Sequence, residues 1–153
     1  MATSPSDFLA KWHQVVASRD MDLLEQIVSE TVEFHTPLYL KPKRGALIVK
    51  AILASAVSIF QDFVYFREWV MVSEDGNEAD LALEFGANIP NKDESGTLPL
   101  KGLDLIKIRR GPDNLFRIVH FEVMIRPVKT LIRFGELQSA GVMAMAKKFG
   151  AKL

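Results

Sequence analysis

The side chain with the clearest potential for chemistry in this sequence is Asp104, which lies in a strand-like apolar segment. Because side chains alternate between the two faces of a strand, Asp104 shares its face with Ile106 and Ile108. Apolar surroundings disfavour an ionised carboxyl group and raise its pKa towards the range useful for general acid catalysis or for holding a ligand carbonyl. The competing interpretation is structural, with the carboxylate satisfied by a backbone amide, Tyr65 or an arginine. Asp104 is the first catalytic candidate.

The second titratable candidate is His35, which precedes Thr36 and Pro37. Its position alternates with that of Phe34, so a regular strand would turn His35 outward while Phe34 points inward. Strands often kink at a proline, however, and a kink here would turn the imidazole towards the interior. Both orientations stay open, and His35 is retained as a candidate for the site.

Metal and cofactor chemistry find little support in the sequence. The three histidines lie far apart at positions 13, 35 and 120, and no helix carries a pair of carboxylates at ligand spacing. The chain has no cysteine, which excludes thiol nucleophiles, disulfides and Cys-rich zinc sites. No phosphate-binding loop, dinucleotide fingerprint or nucleophile elbow occurs. We predict neither a metal site nor a cofactor.

Composition is typical of one globular domain over residues 1–153, since 48% of the residues are hydrophobic and 25% are charged. Its 19 basic and 19 acidic residues balance, which argues against nucleic acid binding driven by phosphate neutralisation. The longest run without Asp, Glu, Lys or Arg is Ala51–Gln61, whereas a membrane span needs about 18 apolar residues. The first residues also lack the basic region followed by an apolar block that is typical of a secretory signal peptide. We expect a cytoplasmic protein that neither binds nucleic acid nor enters a membrane.

The first half of the chain is predicted to be mainly helical. The segment Ser4–Asp7 contains capping residues for the first helix, and Asp20 or Asp22 is the predicted cap of the second. Each precedes a stretch with apolar residues at helical spacing. Residues 31–36 alternate as a short strand, which Pro37 ends. A third, alanine-rich helix is predicted over residues 46–60.

The second half is predicted to be a four-stranded antiparallel meander over residues 65–72, 79–89, 100–109 and 116–125, with turn residues between the strands. A helical tail follows at about 128–149, and Gly135 and Gly141 are expected to break it. Its apolar face could cover a sheet edge, extend over a pocket mouth or meet a second subunit. Helices followed by strands favour an α+β fold.

This order of elements, together with six short motifs, resembles the nuclear transport factor 2-like superfamily, especially its SnoaL-like and ketosteroid-isomerase-like branches. The resemblance covers nearly the whole chain and rests on Asp20–Leu24, Val32–Pro37, Arg44–Gly45, Asp62–Tyr65, Gly102–Asp104 and Ile125–Pro127. It implies a cone-shaped, cystatin-like domain in which a curved antiparallel or mixed sheet wraps around an N-terminal helical layer and a cavity. It also implies a homodimer formed across the outer face of the sheet.

The functional residues of ketosteroid isomerases are only partly present. The family's base is an aspartate before a proline, and Thr36 stands there. A first-helix tyrosine corresponds to Trp12, whose indole can donate a hydrogen bond but cannot exchange a proton. The family's late-strand acid, a carboxyl group that its apolar site keeps neutral, corresponds to Asp104. One position of three is retained, which argues against steroid isomerase activity.

The resemblance therefore implies a cavity that binds a small hydrophobic or aromatic molecule, with Asp104 as acid, base or carbonyl anchor. SnoaL-like cyclases use a cavity aspartate, so any reaction would be a cofactor-free isomerisation, cyclisation or dehydration. The alternative is a non-catalytic ligand-binding or protein-binding module that acts through the dimer. The predicted binding residues are mainly aromatic and aliphatic: Trp12, Phe34, Thr36, Phe63, Tyr65, Phe85, Ile106, Val123 and Ile125.

Overall fold

The structure is a computed structural model that describes residues 1–93 and 95–153. Its elements follow the predicted order, with helices first, then a strand-rich region, then a long final helix. In chain order they are α1 Pro5–Ser18, α2 Met21–Gln26, β1 Val28–His35, β2 Lys43–Arg44, α3 Ala46–Ile59, β3 Gln61–Val72, β4 Glu78–Pro90, β5 Thr97–Arg110, β6 Phe116–Arg126 and α4 Val128–Phe149.

The two N-terminal helices are capped by Ser4, from the predicted segment Ser4–Asp7, and by Asp20, one of the two predicted alternatives. The Ser4 Oγ accepts a hydrogen bond from the Asp7 amide at 3.1 Å. The Asp20 carboxylate accepts from the amides of Asp22 and Leu23, each at 3.0 Å. These bonds satisfy amide groups that have no partner within the first helical turn.

The six strands form one curved, open, mixed sheet in the order β2-β1-β6-β5-β4-β3. Strands β3 to β6 pair as the predicted antiparallel meander, whereas β1 runs parallel to β6. Together with the N-terminal helical layer, this sheet confirms the predicted α+β, cystatin-like fold.

The inner face of the sheet is set by the period of two along each strand. On β5, Asp104, Ile106 and Ile108 are all buried, as predicted. On β6, Ile118 and Phe121 are both buried although one number is even and the other odd. A register irregularity between the pairs Lys107–His120 and Ile108–Ile118 explains this change of parity. His120 itself lies on the outer face of the sheet.

Helix α4 corrects one prediction. Gly135 and Gly141 do not break it, and the helix is continuous from Val128 to Phe149. Each glycine instead allows close packing: a Cβ at Gly135 would lie 3.0 Å from Leu38 Cδ2, and one at Gly141 would overlap Ser55 Oγ. The cost of about 1 kcal/mol for a glycine in a helix is outweighed by this contact with α3 and the 36–40 segment. Among the described residues, no helix has the length and hydrophobicity to cross a membrane.

Candidate functional site

A cavity lies between the inner face of the sheet and helices α1, α3 and α4. The volume of this cavity is about 50 Å³. Helix α4 therefore extends over a pocket, one of the three roles considered for it. The lining is mostly aromatic and aliphatic: Trp12, Val16, Phe34, Thr36, Pro37, Leu38, Ile52, Leu53, Ala56, Val57, Phe60, Phe63, Tyr65, Phe85, Asp104, Phe121, Val123, Phe134 and Gln138.

Asp104 lies in the sheet wall of this cavity with 5% of its surface exposed. The Tyr65 hydroxyl donates a hydrogen bond to Asp104 Oδ2 at 2.7 Å, and the Trp12 indole donates to the Tyr65 hydroxyl at 2.8 Å. Because an indole N–H can only donate, the Tyr65 hydrogen is not used by Trp12 and is free to point to Asp104. Asp104 Oδ1 has no hydrogen-bond partner within residues 1–93 and 95–153.

Burial raises the pKa of Asp104 to about 7, although the hydrogen bond from Tyr65 acts in the opposite direction. Burial, followed by the neighbouring charge of Asp104, raises the pKa of Tyr65 well above its usual 10. Tyr65 therefore stays a neutral donor, while Asp104 changes protonation state near neutral pH. Since Oδ2 accepts the Tyr65 hydrogen, the proton of the neutral carboxyl belongs on Oδ1.

Most of the predicted binding residues lie together. Trp12, Phe34, Thr36, Phe63, Tyr65, Phe85 and Val123 line the cavity with Asp104. The aromatic side chains leave the cavity open, and Phe63 and Phe85 stack beside it at 4.9 Å between ring centroids. Thr36 Oγ1 accepts a hydrogen bond from the Leu38 amide at 3.1 Å, so its hydroxyl stabilises the turn at the mouth.

Three of the predicted site residues lie elsewhere. His35 faces away from the cavity, with its Nε2 2.7 Å from Glu33 Oε1. The pairing of β1 with β6 is regular from Glu33 to His35, so Pro37 does not turn the imidazole inward. Ile106 is buried in the main core with Ile108 and does not line the cavity. Ile125 packs in the apolar cluster around Phe85 without lining the cavity.

Gln138 is a cavity residue that the sequence reasoning missed. Its Nε2 donates to the carbonyl oxygen of Ile52 at 3.0 Å, which fixes the orientation of the amide because a carbonyl oxygen can only accept. The Oε1 atom is buried and has no partner among the described residues. The signal in the sequence was a polar residue four positions after Phe134, on the same side of an amphipathic helix.

The cavity thus combines apolar walls with one polar group, the Asp104 carboxyl on the sheet, whose Oδ1 has no hydrogen-bond partner among the described residues. Asp104 and Tyr65 are the titratable groups of its described lining. Such an arrangement can bind a small apolar molecule, donate a hydrogen bond to its carbonyl oxygen from neutral Asp104, and transfer a single proton.

Comparison with solved structures gives close matches over almost the whole chain. A steroid delta-isomerase from Pseudomonas aeruginosa is 34% identical, with a TM-score of 0.73 and 91% of each chain covered. An uncharacterised protein with a cystatin-like fold from Silicibacter pomeroyi is 32% identical, with a TM-score of 0.72, covering 93% of this chain and 91% of its own. A nuclear transport factor 2-like superfamily protein from Salmonella enterica shares the fold at 16% identity and a TM-score of 0.59, with 78% of this chain and 85% of its own covered. No family model and no curated protein sequence matches the chain.

Proposed function

Because the chain belongs to the nuclear transport factor 2-like superfamily, among its ketosteroid-isomerase-like members, we propose that its cavity binds a small hydrophobic or aromatic molecule that carries a carbonyl group. Neutral Asp104 donates a hydrogen bond from Oδ1 to the carbonyl oxygen. The apolar walls bind the rest of the molecule.

The observation that carries this proposal is the buried carboxyl of Asp104 with one oxygen free. A ligand that accepts a hydrogen bond from this oxygen gains about 0.5–1.5 kcal/mol. Tyr65, which itself accepts a hydrogen bond from the Trp12 indole, donates to Oδ2 and leaves Oδ1 for the ligand. The group is thus oriented before the ligand arrives.

Any reaction in this cavity is a proton transfer that needs no cofactor. Neutral Asp104 would give its proton to one atom of the ligand and recover a proton from another, so that the carboxyl group returns to its starting form. Isomerisation, cyclisation and dehydration all contain such a step. A pKa of about 7 suits both halves of the cycle at neutral pH.

Steroid isomerisation, the activity named for the Pseudomonas aeruginosa protein, is not proposed for this chain. The position before Pro37 where the resemblance places the base is Thr36, whose hydroxyl is neutral and engaged with the Leu38 amide. His35 cannot replace that base, because it faces the opposite side of the sheet.

A matched pair of small ligands tests carbonyl recognition. Acetophenone and α-methylstyrene have nearly the same shape, but only acetophenone has a carbonyl oxygen. We expect the ratio of their Kd values to shift against acetophenone by about tenfold in Asp104→Leu, as for one hydrogen bond of about 1.4 kcal/mol. Taking the ratio in each protein cancels the different hydrophobicity of the two ligands.

The outcomes separate the possibilities. An unchanged ratio would refute the role of Asp104, while failure of both ligands to bind would refute the ligand cavity itself. Phe85→Ala serves as a control that removes part of the apolar wall and enlarges the cavity, so it should alter both affinities together. The non-catalytic alternative is tested separately, by incubating a bound ketone in deuterated water and looking for deuterium at its α-carbon by mass spectrometry.

The outer face of the sheet supports a second proposal, that two copies of the chain form a homodimer. The edge strand β3 carries Phe66, Trp69 and Met71 on that face, with 59%, 50% and 71% of their surfaces exposed. An exposed apolar edge strand invites association, and a second copy would cover it. We expect a dimer by sedimentation velocity for the unmodified protein and a monomer for Trp69→Glu. A monomeric unmodified protein at micromolar concentration would contradict the proposal.

A further inference from the structure

The outer face of strands β1 and β6 carries an alternating square of histidine and glutamate side chains. Glu33 and His35 follow one another at a spacing of two on β1, as do His120 and Glu122 on β6. The parallel register pairs Glu33 with His120 and His35 with Glu122. Residues two apart in a strand share a face, so all four side chains are directed to the same side of the sheet.

The potential ligand atoms of this square are close together. Glu33 Oε1 lies 2.7 Å from His35 Nε2, and the rings of His35 and His120 are 4.6 Å apart. One donor atom from each of Glu33, His35 and His120 lies within 4.8 Å of the others. Glu122 Oε2 is 3.6 Å from His120 Nε2. Ligand atoms of a tetrahedral zinc ion at bond lengths of about 2.0–2.1 Å are about 3.3–3.4 Å apart.

We propose that Glu33, His35 and His120 bind a zinc ion on the outer face of the sheet, with Glu122 within reach as a fourth ligand. The rearrangement required is a small change of side-chain angles, in which the Glu33–His35 pair opens and the His120 imidazole approaches. Imidazole nitrogen and carboxylate oxygen are both ordinary zinc ligands, whereas magnesium and calcium prefer oxygen alone. No cysteine is needed.

The neighbouring charges leave the ligand atoms available. Arg44 donates to Glu33 Oε2 at 3.0 Å, so the arginine holds the carboxylate from its far side while Oε1 faces the histidines. Such support from behind a ligand fixes its orientation. Lys107 pairs in register with His120, but its amine is 3.4 Å from Asp80 on the neighbouring strand. Because Lys107 is paired with Asp80, the charges that face the zinc ion are those of Glu33 and Glu122, which offset its positive charge.

This site is separate from the cavity. His35 and His120 lie on the opposite side of the sheet from Asp104, so the proposal does not depend on any ligand or reaction in the cavity. Glu33 and His35 lie on β1, at the far end of the outer face from β3, while His120 also lines the outer-face groove that contains Trp69 and Met71.

The test is zinc binding by the untagged, full-length protein, freed of metals with a chelator and titrated with zinc chloride at pH 7.5. A chromophoric chelator of known affinity reports the competition. We expect one zinc ion per chain at micromolar affinity or tighter. His35→Ala and His120→Ala should each weaken binding by more than the 10- to 100-fold that loss of a supporting residue costs. Glu33→Gln keeps the size of the side chain and should also weaken zinc binding.

The matched control is His13→Ala, which removes the remaining histidine. His13 lies on α1, with its Nε2 2.9 Å from Glu68 Oε1, away from β1 and β6. The His13→Ala variant should bind zinc as the unmodified protein does. The proposal is overturned if micromolar zinc does not bind, or if His35→Ala and His120→Ala bind it as well as His13→Ala does. Circular dichroism establishes that each variant is folded, and replacement of zinc by cobalt should give the visible absorption of a tetrahedral site.

Discussion

Replacing Asp104 with asparagine should change how the stability of the protein depends on pH. The pKa of Asp104 is raised from 3.8 to about 7 in the folded protein because burial disfavours the charged form. Between pH 3.8 and about pH 7, the Asp104 carboxyl keeps its proton in the folded chain and loses it in the unfolded chain. The stabilising contribution is therefore complete below the unfolded pKa of 3.8 and is lost as the pH rises through about 7.

The size of the effect follows from that difference in pKa. A difference of about three pKa units, at about 1.4 kcal/mol per unit, gives about 4 kcal/mol between pH 4 and pH 8. Water entering the cavity reduces this figure, so about 2–4 kcal/mol is expected. Asparagine has the same shape as the neutral carboxyl group, accepts the Tyr65 hydrogen with its oxygen, and does not titrate. Asp104→Asn should thus be more stable than the unmodified protein by this amount at pH 8 and about equal to it at pH 4.

The assay is urea denaturation of both proteins at four pH values between 4 and 8.5, with the difference in the free energy of unfolding plotted against pH. Asp113→Asn is a matched control, since Arg117 lowers the pKa of that exposed carboxyl to about 2. The stabilising contribution of Asp113 is present above the unfolded pKa of 3.8 and is lost as the pH falls towards 2. The difference in the free energy of unfolding between Asp113→Asn and the unmodified protein should therefore stay constant from about pH 5 to 8.5. A flat difference for Asp104→Asn as well, or one of the opposite sign, would refute the reasoning.

Two further substitutions test the environment of the cavity. Tyr65→Phe removes the hydrogen bond that lowers the pKa of Asp104. The pKa of Asp104 should then rise above about 7, as measured by a carbon-13 titration of the carboxyl group. An unchanged or lower pKa would contradict the assigned direction of the bond. Gly141→Ala should destabilise the protein by about 1–3 kcal/mol in urea because the added methyl group overlaps Ser55 Oγ. Combining it with Ser55→Ala should recover part of that loss, and full additivity of the two changes would count against the overlap.

Local periodicity was sufficient to predict the meander and the face of Asp104. Strand alternation depends on neighbouring residues only, so the burial of Asp104 with Ile106 and Ile108 could be inferred without knowing the partner strands. The same alternation cannot say where along a face the helices leave space. Ile106 shares the face of Asp104, yet it is packed in the core instead of lining the cavity.

Contacts between distant parts of the chain could not be predicted in this way. The packing of α4 on α3 decides that Gly141 is a contact and not a helix break, and it places Gln138 in the cavity. The parallel pairing of β1 with β6 brings His35 next to His120, although the two histidines lie far apart in the sequence. Both arrangements depend on tertiary packing, which has no local periodic signal.

The most direct measurement is the pH dependence of acetophenone binding by the unmodified protein and by Asp104→Asn, followed by calorimetry from pH 5 to 9. If a neutral carboxyl donates to the ketone, affinity for the unmodified protein falls as the pH rises through about 7, while the asparagine amide donates at every pH and its affinity stays constant. Affinity that is constant with pH in the unmodified protein, or that falls equally in both proteins, would contradict recognition of the ligand by Asp104.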